Sequence, residues 1–239
     1  MYLRLLILAV IVCMVPVFSQ PLTGINSGSA GTSTPATLDG PFQVSVFGNL
    51  AAGTQVINIL NDGATGTGTS VFTGTSPLTT NGNICVNVYV FDASDEQEIA
   101  CCSCLLTPNQ AVNITAAQLV SDVFEKTAPS SIAVKLIATA AGTATTCTPT
   151  TAAGGSTLPS TGLTAGSLVN GMVATGTHIH IVETGTGEAS LTETLFVPAT
   201  LSTWELLRAS VLCGFIVGNL SGGNVCPGCT PGVAGASRQ

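Results

Sequence analysis

Ile84-Cys85-Val86-Asn87-Val88-Tyr89-Val90-Phe91, the acidic stretch Asp92 to Gln97, and Glu98-Ile99-Ala100-Cys101-Cys102-Ser103-Cys104 form the most strongly β-patterned part of the chain. Val86, Val88 and Val90 recur with period two, so a strand sets them on one face, and β-branched side chains fit a pleated surface. Two such runs around a polar tip predict an antiparallel hairpin. With Phe91 opposite Glu98, the constant index sum of an antiparallel pair sets Val90 against Ile99, Val88 against Cys101 and Cys85 against Cys104. The core face is then aliphatic plus the Cys101 sulfur, and Cys85 and Cys104 stand within disulfide reach.

Further strands are expected on both sides of this hairpin. Phe42, Val44 and Val46 alternate with Gln43, Ser45 and Phe47, and Val56 to Leu60 runs into the turn signal Asn61-Asp62-Gly63. A short strand is expected at Ser70 to Thr73, before a turn at Asn81-Gly82-Asn83, and another strand at Ser131 to Thr139. Val173 to Val182 and Ser190 to Val197 read as a second hairpin across Gly185-Thr186-Gly187. Thr115 and Gln118 form a capping box for a short helix through Val120, stapled by Ile114 and Leu119. Leu201-Ser202-Thr203-Trp204-Glu205-Leu206 opens a longer helix over 203–217: Ser202 caps, Glu205 sits at N3, Leu201 faces Leu206, and Gly218 closes it. On it Leu206, Ala209, Cys213 and Ile216 make one stripe, which turns the Cys213 sulfur toward the core. No fixed-period repeat is present. The expected fold is all-β, an antiparallel sandwich of Greek-key type with one C-terminal helix.

The ends and one interior stretch differ in composition. Arg4 precedes an unbroken apolar run from Leu5 to Val15, Pro16 follows, and Val17 and Ser19 are the small residues before a cut. That order is a secretory signal peptide over residues 1–19, too short for a membrane span and unlike a lipidation site at Cys13, because Ile11 and Val12 precede it. Residues 20–38 read as a flexible leader, 39–230 as one domain, and 231–239 as a tail. The segment 141–166, nearly all Ala, Gly, Thr, Ser and Pro around Cys147, reads as a mobile insertion too poor in large apolar groups to bury itself.

Cleavage leaves four Lys and Arg against twelve Asp and Glu, a formal charge of −8. So few cations cannot neutralise a phosphate backbone or an anionic membrane surface, which excludes nucleic acid as a partner. Eight cysteines remain: Cys85, Cys101, Cys102, Cys104, Cys147, Cys213, Cys226 and Cys229. An even set behind an export signal reads as disulfides in a secreted or periplasmic protein. A bond between the sequence halves is natural if Cys101 and Cys213 both face the core.

The run Ile84 to Asp92, the cluster Cys101-Cys102-Ser103-Cys104, and the ending Leu212-Cys213-Gly214-Phe215-Ile216 with Cys226-Pro227-Gly228-Cys229 resemble a group of exported proteins from soil bacteria of the acidobacterial kind. The likeness covers about half of the mature chain and implies a bacterial periplasmic or extracellular setting with a disulfide framework. It implies no activity and assigns no functional residue.

Several residues invite chemistry. Cys226-Pro227-Gly228-Cys229 has the spacing of redox and zinc sites, and with residues 101–104 it could make a four-thiolate site. No helix follows to activate a thiol, and export favours disulfides. His178 and His180 share one strand face, a spacing for a metal pair, but Glu183 and Glu193 fall on the other face, and solvent-facing histidines opposite a buried isoleucine pair are the plainer reading. Asp92, Asp95, Glu96 and Glu98 could gather calcium at the hairpin tip, though the spacing departs from calcium-loop patterns and a solvated acidic turn suffices. No nucleophile elbow is present. Sugar binding needs aromatic platforms, and only Trp204, Tyr89 and core-placed Phe residues are at hand. No cofactor is expected. The sequence therefore favours an exported structural or adhesive protein with a protein or glycan surface partner, with a glycan-binding module and a metal-dependent enzyme at His178 and His180 as alternatives.

Overall fold

The computed structural model describes residues 37–65, 82–121, 123, 127–141, 146–149, 168–181, 189–219 and 225–229. Among the described residues, nine strands form two antiparallel sheets: β1 (Phe42–Phe47), β2 (Val56–Asn61), β3 (Ile84–Asp92), β4 (Glu98–Leu106), β5 (Ala111–Thr115), β6 (Ile132–Ala140), β7 (Met172–Ile181), β8 (Ala189–Leu195) and β9 (Val197–Pro198). A five-stranded sheet has the order β4-β3-β6-β1-β9 and a four-stranded sheet the order β5-β2-β7-β8. Helix α1 (Ala116–Leu119) follows β5, and α2 (Thr203–Gly218) follows β9. The expected signal peptide, the expected leader up to residue 36, the candidate strand at Ser70 to Thr73, most of the 141–166 insertion and the tail lie outside the described residues.

The core forms between the sheets from alternate residues: Phe47, Ile57, Ile59, Ile84, Val86, Val88, Val90, Val134, Leu136 and Ala174 are all buried there. The five-stranded sheet is also covered outside, where Tyr89, Phe91, Cys101 and Ile137 pack under Leu206, Ala209, Cys213 and Ile216 of α2. Covered on both faces, β3 is buried at all nine positions.

The hairpin register differs from the sequence expectation. Phe91 does oppose Glu98, but a bulge follows, so Val90 opposes Ala100, Val88 opposes Cys102, and Cys85 opposes Leu105. A bulge sets two residues against one, and everything beyond it turns to the other face. Ile99 and Ala100 both reach the inter-sheet core, while Cys101 passes to the outer face under α2. The Cys85–Cys104 pair is thereby excluded: Cys85 is bonded to Cys147, Cys101 to Cys213, Cys102 to Cys226 and Cys104 to Cys229.

Buried amides replace missing strand partners. The Gln43 amide donates to the Met172 carbonyl at 2.5 Å and accepts from Ala174 N–H at 3.2 Å, tying β1 to β7 across the sheets. Asn61 donates to the carbonyls of Gly82 and Leu106, both at 3.0 Å, and Gln55 accepts from Ile179 N–H at 3.3 Å. Each would otherwise be an uncompensated buried polar group. Both caps form: Thr115 and Gln118 close the capping box of α1, and Ser202 accepts from Glu205 N–H at 3.1 Å. Within the expected insertion, residues 146–149 are fixed by the Cys85–Cys147 bond and by Tyr89, whose hydroxyl donates to the Pro149 carbonyl at 2.7 Å.

Candidate interaction surface

His178 and His180 lie on the inner face of β7, near the corner where the chain leaves β8 for β9. Their register partners on β8 are Thr192 and Ser190. The His178 ring stacks on Phe47 with centroids 4.6 Å apart, and its Nε2 lies 2.8 Å from Thr194 Oγ1. His180 Nε2 lies 2.8 Å from Thr192 Oγ1. Burial lowers the pKa of His178, the neighbouring His180 lowers it further, and a backbone hydrogen bond at Val46 opposes both. Gly176 makes the stack possible, since a Cβ there would stand 2.7 Å from Phe47 Cζ. Beside the histidines a groove of about 460 Å³ runs between Val44, Ser45, Val46, Thr194, Leu195 and Val197.

This geometry corrects the solvent-facing reading in part: His180 is exposed, but His178 is half-buried, and of the isoleucine pair only Ile179 is buried. As a metal site it is thin. Glu193 lies on the other face, where it accepts from Thr175 Oγ1 at 2.7 Å, and Glu183 is outside the described residues. Among the described residues, the converging metal-ligand groups are Cys104 with Cys226 and Cys229, and Glu98 with Cys101 and Cys213. Neither includes a histidine, and all of these cysteines are in disulfides.

The Cys226 to Cys229 spacing and the cluster at 101–104 do come together, as two disulfides to β4. Gly228, at φ 85°, turns the segment so tightly that a Cβ would meet the Asn113 carbonyl oxygen at 2.3 Å. Residues 225–229 thus lie between β4, which pairs with Val225 at Ser103, and β5, and close that side of the sandwich.

The acidic tip divides. Asp92 accepts from the Ser94 amide and hydroxyl at 2.7 and 2.6 Å, bonds that lower its pKa, and Asp95 accepts from Gln97 N–H at 3.0 Å. Glu98 points away from them, beneath α2, with both carboxyl oxygens buried and without a partner among the described residues. Burial pushes its pKa up to about 9, against the pull of Lys135 and Arg208 and with a contribution from Glu205. The sequence places Glu98 with the tip because its pairing with Phe91, which the structure keeps, does not reveal that α2 covers that face.

At the far edge of the four-stranded sheet, every residue of β8 is exposed, including Leu191 at 65% and Leu195 at 50%. Phe196 N–H donates to the Ala174 carbonyl at 2.9 Å. By antiparallel alternation, the backbone groups of Ala189, Leu191, Glu193 and Leu195 therefore point outward. The other edges are guarded: β9 has two residues, one of them Pro198, while the 225–229 segment runs along β4 and touches β5. Proteins usually blunt an edge with a charge, a proline or a cover. β8 carries one charge, Glu193, whose carboxylate is engaged by Thr175 of its own sheet.

Tyr89 is fully buried and offers no platform, whereas Phe215 is exposed on α2 together with Trp204. No helix among the described residues is long and apolar enough to cross a membrane. Four disulfides are the mark of an oxidising compartment. No family model, curated protein or solved structure matches this chain.

Proposed function

We propose that this is an exported, non-catalytic interaction protein of the bacterial surface or periplasm, which accepts an extended segment of a partner protein as an added strand on β8. The observation that carries the reading is the open edge: seven residues, exposed throughout, with outward N–H and C=O groups and flanking leucines. Strand addition draws affinity from main-chain hydrogen bonds and selectivity from alternate side chains. The disulfides support an export reading, and the histidine groove adds an apolar wall beside the edge rather than a carboxylate-bearing catalytic pocket.

The test is retention on envelope fractions of the producing bacterium. Leu191→Pro removes an outward N–H and no bond to β7, so it should abolish retention while leaving the disulfides and melting temperature unchanged. Retention that survives Leu191→Pro, that free glycans compete away, or that a chelator abolishes would overturn the reading.

A further inference from the structure

The outer face of α2 carries a second surface, independent of β8. The helix is apolar beyond its docked face: Leu206, Ala209, Cys213 and Ile216 dock on the five-stranded sheet, while Trp204, Val211 and Phe215 are 76%, 43% and 71% exposed. A surface helix ordinarily opposes its apolar stripe with a polar face, so a second apolar stripe points to a second contact. Trp204, Leu207, Arg208 and Val211, at i, i+3, i+4 and i+7, line with Leu212 a groove of about 260 Å³. Four residues at that spacing form the hole that receives a side-chain knob from a facing helix. One turn beyond Val211, the same stripe presents such a knob, Phe215.

We infer that α2 is the contact of a two-fold homodimer, in which antiparallel helices cross at Val211 and each Phe215 fills the hole of the other copy. The hole is centred between Leu207 and Arg208, so hole and knob lie about equally far from Val211 on opposite sides, as an isologous contact requires. The stripe is locally balanced: Glu205 lies between Lys135 and Arg208, bonded to the first and 3.8 Å from the second. Two copies of an acidic chain meet there without apposing their acidic faces. Exposed Trp204 and Phe215 offer on the order of 300 Å² per copy, and with Val211, Leu207 and the Arg208 stem roughly 500 Å². A pair then buries about 1,000 Å², the lower bound for a specific interface, in the size range of weak, transient contacts.

Sedimentation of the oxidised mature chain from about 1 to 200 μM tests this. The expected result is a monomer–dimer equilibrium that Phe215→Ser and Trp204→Ser each weaken at least tenfold, without lowering the melting temperature of the monomer. Because Val211 sits on the two-fold, Val211→Cys is expected to form a disulfide-linked dimer, and Val46→Cys, also exposed, is not. A wild-type monomer throughout, dimers that persist in Phe215→Ser, or a monomer that instead binds neutral phosphatidylcholine vesicles through Trp204 and Phe215 would each overturn it.

Discussion

Glu98 is 4% exposed and its carboxyl group has no hydrogen-bond partner among the described residues, beside the Cys101–Cys213 bond. An ionised carboxylate in that position would lack the bonds that normally offset desolvation, so the group keeps its proton. Lys135, Arg208 and Glu205 are the titratable groups acting on it from the neighbouring strand and the helix, and Glu98 in turn adds to the burial that raises the Tyr89 pKa. A carboxyl raised from 4.5 to about 9 holds, between those pH values, a proton that the unfolded chain has released. The contribution of Glu98 to stability is therefore full below about pH 4.5 and is lost as pH rises toward 9, by roughly 3 kcal/mol at pH 7. Glu98→Gln should flatten the dependence of melting temperature on pH between 5 and 9 and raise that temperature at pH 8 by several degrees. If the slope is unchanged in calorimetry, Glu98 is ionised and partnered in solution.

The elements were legible where local chemistry alone defines them. Ser202, Glu205 and the Leu201/Leu206 pair predict the start of α2, and the observed helix runs one residue past the expected end. Thr115 and Gln118 likewise mark α1. The β4 register was not legible, because the bulge arises when packing drives both Ile99 and Ala100 into the core, and composition cannot weigh that against a regular ladder. Strand β5, Ala111–Thr115, escaped because five residues with two asparagine-flanked aliphatics resemble a loop until β2 pairs with them. The outer stripe of α2 was present in the spacing of Trp204, Val211 and Phe215 but was masked by the equally apolar docking stripe. At this scale the 225–229 segment makes its own prediction. Gly228 has a φ that side chains resist and no space for a Cβ, so Gly228→Ala must push the segment off β5 and draw Cys229 away from Cys104. Alkylation of the unreduced variant, followed by mass mapping, should find free thiols at Cys104 and Cys229 while Cys85–Cys147 remains closed. A fully oxidised variant of unchanged stability would show that the turn is not constrained in this way.

Across the whole molecule, each disulfide joins a cysteine between 85 and 104 to one between 147 and 229, with sequence separations of 62, 112, 124 and 125 residues. Loops of that length restrict the unfolded chain by roughly 4 to 5 kcal/mol each in the chain-entropy account. The sheets are interlaced in the same way. The β2–β5 pair from the first part of the chain joins the β7–β8 pair from the second through β2 and β7, and β9 adds to β1. Neither part can complete a sheet alone, and three of the four bonds span any cut made between Cys147 and Cys213. A protease site placed at Gly154-Gly155 should therefore give a nicked protein that runs as one covalent species and melts cooperatively, with β2 still held to β7. Adding reductant removes the covalent link and the restriction on the unfolded state together. Once reduced, the nicked chain should separate into two fragments and lose its β circular dichroism, while the uncut chain, reduced, loses stability but stays in one piece. Fragments that part before reduction would contradict the connectivity, and a reduced nicked protein that melted as before would show that packing between the sheets, without the disulfides, is enough to hold the fold.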